Sequence, residues 1–212
     1  MAMLKRERAQ AVVELLAEEY PDAQCELDYR DPWELLVATV LSTQCTDVRV
    51  NQVTPGFFKR WPDPASLAAA RVGEIEEVVR PTGFFRNKAR SLQGAARAVV
   101  DEHGGSVPGD IDELVALPGV GRKTAKVVLG EAFGIAAGVT VDTHVRRLAN
   151  RIGLTRQQDP EKIAGELERL IPRSEWIAFS LRLILHGRRV CTARRPRCGG
   201  CVLDPACLKV GL

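Results

Sequence analysis

The sequence predicts an all-α protein, and three features of its 212 residues support that fold class. Apolar residues recur three and four positions apart in most segments, which is the spacing of one face of a helix. Apolar and polar residues do not alternate over any length that a half-buried strand would require. Proline and glycine interrupt the chain at short intervals, so we expect roughly nine to eleven helices of ordinary length.

The predicted helices follow one another along the chain without a long linker. The stripe that ends at Val100 runs towards Gly104 and Gly105, which mark the end of that helix. Pro55 is among the residues expected to separate helices. The run Val139–Val141 is too short for a sheet and is interpreted as an extended lead-in to a helix. From the N-terminus on, the apolar stripes are Val12/Leu15/Leu16, Leu35/Leu36/Thr39/Val40, Leu92/Ala95/Ala96/Val99/Val100 and Ile163/Leu167/Leu170/Ile171.

The composition is that of a soluble globular protein. Hydrophobic residues make up 45% and charged residues 27% of the chain, which excludes an intrinsically disordered or membrane-embedded protein. The longest mainly apolar stretch, Trp33–Leu41, is about half a membrane span and contains Glu34. Gln10 and Glu14 interrupt the region that an export signal needs to be apolar. We therefore expect a cytoplasmic protein with reduced thiols and no membrane partner.

The basic residues are distributed unevenly. The net charge of +3 is too small to predict a polyanionic partner by itself. Between Leu181 and Cys201, however, the chain has six arginines and no acidic residue. A local basic face of this kind indicates either a nucleic-acid contact or a solvated arginine-rich surface.

A glycine turn between two predicted helices is the first motif that suggests a chemical function. In LPGVGRKTA, residues 117–125, a helix over about residues 111–117 stops at Pro-Gly and another follows. Gly119 and Gly121 lack Cβ, so a phosphate can approach the backbone N–H groups of the turn, including that of Val120. A plain corner between two helices uses the same glycines. As a whole string, the motif looks like the helix-hairpin-helix element with which DNA repair proteins hold the phosphate backbone.

Lys123 lies near the start of the second of these helices, at the end where a cation is unfavourable. The positive helix terminus, with Arg122 adjacent and Lys126 one turn on, favours the neutral amine. A neutral amine is a nucleophile that can form a Schiff base with a sugar aldehyde carbon. Lys123 is therefore either such a nucleophile or an ordinary solvated surface cation.

The segment VDTH, residues 141–144, supplies a second candidate for catalysis. Asp142 precedes a predicted helix over Thr143–Ile152 and is a good N-cap for it. The same carboxylate could stabilise a developing oxocarbenium cation or accept a proton, and the two roles are compatible. His144 is interpreted as a structural or phosphate-contacting residue.

Four cysteines close to the C-terminus predict a metal site. Cys191, Cys198, Cys201 and Cys207 have the spacing C-x6-C-x2-C-x5-C, and four thiolates can hold either tetrahedral zinc or a [4Fe-4S] cluster. Structural zinc commonly uses two tight C-x2-4-C pairs, whereas this chain has one. The arginines of the first loop, Arg194 and Arg195 with Arg197, could contact phosphates or merely neutralise the site.

Together with LSTQCTD (residues 41–47) and LHGRRVC (residues 185–191), these motifs make about residues 5–210 closely resemble bacterial endonuclease III. The resemblance implies the two-lobed helix-hairpin-helix-GPD glycosylase fold, in which the damaged base is flipped into the cleft between the lobes. It implies a six-helix barrel domain over residues 24–135, with the hairpin at about 111–130. A cluster domain of residues 1–23 plus 136–212 would carry the [4Fe-4S] loop at 191–207.

The same resemblance implies the function and assigns its residues. The family excises oxidised pyrimidines from duplex DNA and nicks the abasic strand by β-elimination, so we expect a monomeric, nucleoid-associated enzyme of base excision repair. Lys123 matches the nucleophile and Asp142 the catalytic aspartate, and the four cysteines match the cluster ligands. Gln44 matches a glutamine that fills the gap left by the flipped nucleotide, and Phe84 lies in the loop of a second wedge, where leucine is common.

Other readings of the same motifs remain open. A monofunctional mismatch glycosylase shares the fold, but residues 35–46 contain no Glu or Asp where the adenine-specific family has its acid, and thymine-specific relatives generally lack the lysine at 123. A non-catalytic iron–sulfur DNA-binding protein, or a structural zinc protein, would explain fewer of the motifs. Cys25 and Cys45 are assigned to packing.

Overall fold

A computed structural model describes residues 3–212. Eleven α-helices and three single turns of 3-10 helix form the regular secondary structure of that range, and it contains no strand. The all-α prediction is therefore confirmed, as is the expected number of helices. The helices are α1 Lys5–Glu19, α2 Pro32–Ser42, α3 Asp47–Arg60, α4 Pro64–Ala68, α5 Val72–Val79, α6 Phe85–His103, α7 Ile111–Ala116, α8 Arg122–Phe133, α9 Thr143–Ile152, α10 Pro160–Leu170 and α11 Trp176–Arg189.

Aspartate N-caps set the start of many of these helices. An aspartate carboxylate accepts hydrogen bonds from backbone N–H groups that the first helical turn leaves without a partner. In three of the helices a proline occupies the first helical position, where its missing N–H costs nothing. The capping aspartates are Asp31 of α2, Asp63 of α4, Asp110 of α7, Asp142 of α9 and Asp159 of α10.

Pro55 does not end a helix, and the prediction that it would is wrong. It lies inside α3, although a proline there removes one backbone hydrogen bond and costs about 3 kcal/mol. The helix is held by packing on both sides of the proline, since Val50, Phe57 and Phe58 are buried. Burying one large apolar side chain contributes about 1.5–3 kcal/mol, so these three together outweigh the local cost.

The segment Val139–Val141 belongs to no helix or strand and leads into α9. Its backbone N–H groups are satisfied by side chains instead. Val139 N–H donates to Glu168 Oε1 at 2.9 Å, and Thr140 N–H donates to Ser180 Oγ at 3.0 Å. The segment is buried, so an unpaired N–H group there would cost stability. These bonds therefore help to fix the backbone that leads directly into Asp142.

The chain divides into two compact units. One unit is Cys25–Ile135 and contains α2 to α8. Within it, α2 packs against α3 and α8, and α6 packs against α4 and α5. Every residue of α2 from Trp33 to Leu41 is buried, so this helix forms the centre of the unit.

The other unit consists of the residues up to Gln24 together with Ala136–Leu212. Here α1 packs against α10 and α11, and α9 packs against α10 and α11. Its core includes Leu16, Leu148 and Phe179. In the described part of the chain, no helix is both long enough and apolar enough to cross a membrane.

Candidate functional site

The predicted glycine turn connects α7 to α8. Asp110 caps α7 by accepting from the N–H groups of Asp112 and Glu113. The turn is closed by the Val120 N–H, which donates to the Leu117 carbonyl at 3.1 Å. The side chains of Leu117 and Val120 are buried, so the turn is anchored in the unit and Val120 can offer a ligand only its backbone.

The two glycines of the turn differ in what surrounds them. Gly119 has φ +79°, and a Cβ at this position would lie 2.4 Å from Ser91 Cβ. Both the left-handed backbone and the close approach of Ser91 therefore require glycine at 119. A Cβ on Gly121 would meet nothing within 4 Å. Of these two glycines, Gly119 is required by the protein's own packing and backbone conformation. Gly121 is not, and the space beside it is open to a ligand.

The N-terminus of α8 is exposed and has no side-chain cap. Gly121 is the N-cap residue, and the first turn contains no acidic side chain. The first N–H groups of the helix are therefore not bonded by a capping side chain, and they form the positive end of the helix dipole. The side chains of Arg122 and Lys123 are exposed at this end. The result is a positively charged surface that suits a phosphate and presents a primary amine beside it.

Asp142 caps α9 as predicted, and the predicted helix Thr143–Ile152 is confirmed. The N–H groups of His144 and Val145 both donate to Asp142 Oδ1, each at 2.8 Å. Neither bond uses the second oxygen, Oδ2. The carboxylate is thus fixed in place through one oxygen while the other can act on a ligand.

His144 is held by the residues around it. Its Nδ1 lies 3.1 Å from Nη2 of Arg147, and a Cβ on Gly187 would lie 2.9 Å from His144 Nδ1. Arginine is always a donor, so Nδ1 is the acceptor and a neutral ring carries its proton on Nε2. The His144 ring is therefore fixed in α9 through Nδ1 and retains one N–H donor.

Gln44 and Phe84 have an unusual backbone conformation in common. Among residues 3–212, the non-glycine residues with positive φ are these two, at 55° and 47°, and Lys209. Each such conformation costs of order 1–3 kcal/mol and persists only where the surroundings impose it. Gln44 is exposed, and Phe84 is a 62% exposed aromatic residue at the N-cap of α6. Such residues are candidates for contact with a ligand.

The four C-terminal cysteines all line one cavity, whose walls include Leu148, Ile152 and Leu203. Burial raises the pKa values of the thiols of Cys201 and Cys207, and the neighbouring cysteines raise them further. In residues 3–212, no three histidine, cysteine, aspartate or glutamate side chains are grouped as they would be around a metal ion. The four cysteines that line this cavity supply the type of donor that an iron–sulfur cluster uses, and the positive core of a cluster would offset the charge of four thiolates.

Nitrogen atoms of other residues lie within hydrogen-bonding distance of three of these sulfurs. Arg151 Nη1 donates to Cys191 Sγ at 3.5 Å, and the N–H of Lys209 donates to Cys207 Sγ at 3.4 Å. His186 Nε2 lies 3.3 Å from Cys201 Sγ. Donors of this kind stabilise thiolates and tune a metal site that thiolates bind.

Two arginines of α9 support the cysteine loop, and the sequence analysis missed both. Arg147 donates to the carbonyls of Gly187 and Cys191, and Arg151 donates to those of Thr192 and Ala193. The i, i+4 spacing of these arginines on the helix after VDTH is a signal that could have found them. Their hydrogen bonds to these carbonyls fix the start of the loop on α9.

The arginines within the cysteine loop have different surroundings. Arg197 is turned back and donates to the carbonyl of Arg189. Arg194 and Arg195 are exposed, and the backbone of Arg195 is fixed by the Thr192 hydroxyl, which donates to its carbonyl at 2.7 Å. All three arginines are exposed, but Arg194 and Arg195 are not directed at the Arg189 carbonyl as Arg197 is, so an external phosphate could reach them.

The all-helical fold and the glycine turn with a helix terminus suited to phosphate define a class of DNA-binding repair proteins. Residues 37–173 match the model of the HhH-GPD superfamily base excision DNA repair proteins. The endonuclease III of Synechocystis sp. is 55% identical over 96% of this chain and 93% of its own length. The chain belongs to the HhH-GPD superfamily and, within it, to the endonuclease III family, which confirms the resemblance.

Solved structures of the family agree with this assignment. A non-covalent endonuclease III–DNA complex is 42% identical and superposes with a TM-score of 0.92, covering 98% of this chain and 97% of its own. A trapped covalent endonuclease III–DNA intermediate is 41% identical, with a TM-score of 0.93 and the same coverage. The predicted glycosylase fold is thus confirmed.

Proposed function

We propose that this protein is a bifunctional DNA glycosylase and AP lyase, which excises oxidised pyrimidines from duplex DNA and then nicks the abasic strand. One observation carries the proposal: Lys123 presents its amine at the exposed, uncapped N-terminus of α8, directly after a glycine turn suited to phosphate. A trapped covalent DNA intermediate exists for a 41% identical relative, which supports a nucleophilic mechanism. The activity belongs to base excision repair and acts at the nucleoid.

Duplex DNA is bound mainly through its phosphates. The backbone N–H groups of Gly119 and Gly121 and those at the start of α8 donate to one phosphate, and the backbone of Val120 forms the turn between the two glycines. Exposed Arg194 and Arg195 contact others, and the Nε2–H of His144 is available as a further donor. Contacts with phosphates do not depend on the base sequence. A repair enzyme needs this independence because its lesions occur in any sequence.

Extrusion of the damaged nucleotide requires residues that fill the gap. Gln44 and Phe84 do so in this proposal: Gln44 has hydrogen-bonding groups for the unpaired partner base, and Phe84 has a ring that can stack. Stacking an aromatic side chain on a base contributes about 1–3 kcal/mol, which offsets part of the cost of unstacking.

Lys123 and Asp142 carry the covalent chemistry. The neutral amine of Lys123 attacks C1′ of the sugar, and the damaged base leaves with the electron pair of the glycosidic bond. The Asp142 carboxylate stabilises the positive charge that develops on the sugar. Opening of the sugar gives a Schiff base, which acidifies the hydrogen on C2′. Loss of that proton expels the 3′ phosphate and breaks the strand.

Cys191, Cys198, Cys201 and Cys207 would hold a [4Fe-4S] cluster. The support is their common cavity, the N–H donors directed at two of the sulfurs and the His186 Nε2 atom beside a third. When bound, the cluster supplies cross-linking of the C-terminal loop rather than a step of the reaction. The arginines Arg147 and Arg151 then fix the loop that carries Arg194 and Arg195. Visible absorption with bound iron and sulfide distinguishes this cluster from zinc.

Borohydride trapping tests the function. The parent, Lys123→Gln and a control, Lys59→Gln, are each reduced in the presence of a duplex with thymine glycol or with an abasic site. Lys59 is an exposed lysine in the last turn of α3. We expect covalent adducts with both duplexes for the parent and the control, and with neither for Lys123→Gln.

Other outcomes of the trapping experiment would change the conclusion. An adduct of the parent with the abasic duplex alone would mean a lyase that does not excise thymine glycol. Absence of any adduct from the parent would overturn the bifunctional mechanism and favour a monofunctional or binding-only protein.

A further inference from the structure

Lys88 is a buried cation whose charge has no part in the proposed chemistry. It lies on α6, and the residue is 5% exposed. Its Nζ donates to two backbone carbonyls, that of Leu41 at 2.8 Å and that of Thr82 at 2.7 Å. Burial lowers the pKa of Lys88, and the nearby Cys45 thiol acts in the opposite direction. A buried ammonium is tolerated only where its hydrogen bonds are replaced, so these two carbonyls must be held in place for it.

The two carbonyls belong to the two segments that carry Gln44 and Phe84. Leu41 lies in the last turn of α2, three residues before Gln44, and its carbonyl is one of those that a helix end leaves unbonded. Thr82 is the last residue of the 3-10 turn Arg80–Thr82, two residues before Phe84. Through these two hydrogen bonds, Lys88 connects the segment before Gln44 to the segment before Phe84.

The backbone of Lys88 fixes the second segment as well. Its N–H donates to the Phe84 carbonyl at 3.1 Å, so Lys88 bonds both to Phe84 and to Thr82, two residues before it. On the first segment, the Cys45 N–H donates to the Ser42 carbonyl and closes a tight turn that contains Gln44. The two segments that contain the left-handed residues Gln44 and Phe84 thus share one ammonium group as a hydrogen-bond donor.

We propose that Lys88 is a positioning residue that holds the Gln44 and Phe84 segments at a fixed separation, so that both side chains enter the duplex as a preassembled pair. The inference rests on the proposed function, in which these two residues fill the space of the flipped nucleotide. Without the shared ammonium, each segment must be ordered separately during binding, which reduces the rate of extrusion. The chemistry of Lys123 on a nucleotide that is already extruded should not depend on Lys88.

The test compares two abasic substrates that differ in the work of extrusion. In the first substrate, the abasic site lies opposite 2-aminopurine in a duplex that is otherwise fully paired. In the second substrate, the abasic site lies in an unpaired bubble, so its extrusion leaves no gap that the protein must fill. Lys88→Met, which has the length of lysine but no donors, is compared with the parent and with Lys59→Met, an exposed control.

For Lys88→Met we expect a loss of about 10-fold to 100-fold in single-turnover trapping on the paired duplex, as for a misplacement of about 1 Å. On the bubble, the rate should stay within about twofold of the parent. The 2-aminopurine signal should report slower insertion in the variant, and Lys59→Met should behave like the parent. Equal losses on both substrates, or no loss on either, would overturn the proposal.

A second variant covers the case in which Lys88→Met does not fold, which thermal melting detects. Lys88→Arg keeps the charge and the donors but displaces them, so we expect a smaller loss that is again confined to the paired duplex. Equal losses on both substrates with this variant would overturn the proposal. Failure of the proposed function is distinct, because the parent would then give no adduct with either substrate.

Discussion

The N-termini of α8 and α9 carry the two residues proposed for catalysis, and they are built in opposite ways. At α8, Gly121 gives no side-chain cap and the first turn carries Arg122 and Lys123. At α9, the Asp142 carboxylate accepts from two N–H groups of the first turn. One helix end has exposed cations and uncapped N–H groups, whereas the other satisfies its donors with its own chain.

The two helix ends suit different partners. An uncapped terminus forgoes about 1 kcal/mol of stability, and exposed cations there make it less stable still. An anion such as a phosphate would restore both losses on binding. The capped terminus gains nothing from an external anion, but it holds a carboxylate in a fixed orientation. We therefore expect mutations of Gly121 and Arg122 to affect DNA binding, and mutations of Asp142 to affect the chemical step.

The largest effect is expected at Asp142. Asp142→Asn keeps a good N-cap but removes the negative charge, so the excision rate should fall about 10²-fold to 10³-fold with little change in melting temperature. Asp142→Ala should lose a similar factor in rate and also about 1 kcal/mol of stability. Single-turnover excision and thermal denaturation measure the two effects. If Asp142→Asn excised at the parental rate, Asp142 would be a cap and nothing more.

The glycines before α8 should separate folding from binding. Gly119→Ala places a Cβ against Ser91 on a left-handed backbone, so we expect a loss of roughly 2–3 kcal/mol in the free energy of unfolding. Gly121→Ala meets open space, so its stability should match that of the parent. Its affinity for duplex DNA should fall about tenfold, because the Cβ blocks a phosphate. Urea denaturation and DNA titration of both variants check this, and unchanged affinity of Gly121→Ala would place the phosphate elsewhere.

A smaller effect is expected in the salt dependence of DNA binding. Arg122 and Arg146 are exposed arginines in the first turns of α8 and α9. Arg122→Gln should reduce the slope of log K against log salt by about 0.9, equally for damaged and undamaged duplexes. Arg146→Gln is the matched change at the capped helix and should leave the slope closer to that of the parent. Equal changes in both variants would show that capping does not decide where phosphate binds.

The smallest effect concerns the other end of α8, where Glu131 is half-buried. Burial raises the pKa of its carboxyl above the ordinary 4.5, and a hydrogen bond with the Cys25 backbone opposes this. The folded state therefore binds the proton more tightly than the unfolded state, so stability falls as pH rises from the ordinary value through the raised one. Glu131→Gln should lack this decrease, and its free energy of unfolding relative to the parent should rise with pH. Urea denaturation at several pH values measures the difference, and parallel curves would contradict the prediction.

The sequence determined what depends on neighbours along the chain. The helical periodicity and the Asp142 cap were predicted correctly, because both follow from interactions within a few residues. The prediction that Pro55 separates two helices was wrong. The local preference of proline to break a helix was outweighed by the burial of Phe57 and Phe58, which depends on the tertiary structure.

Only the tertiary structure decided which residues meet across long separations. The spacing of the four cysteines suggested a metal site, but the cavity and the groups of Arg151, His186 and Lys209 that lie beside the sulfurs come from separate segments. Likewise, the pattern around Lys88 is that of an ordinary helix position, and its bond to the Leu41 carbonyl spans 47 residues. Local sequence fixes where helices begin and which faces are apolar, whereas a buried charge finds its partners only through packing, since the energy of burying it depends on every group around it.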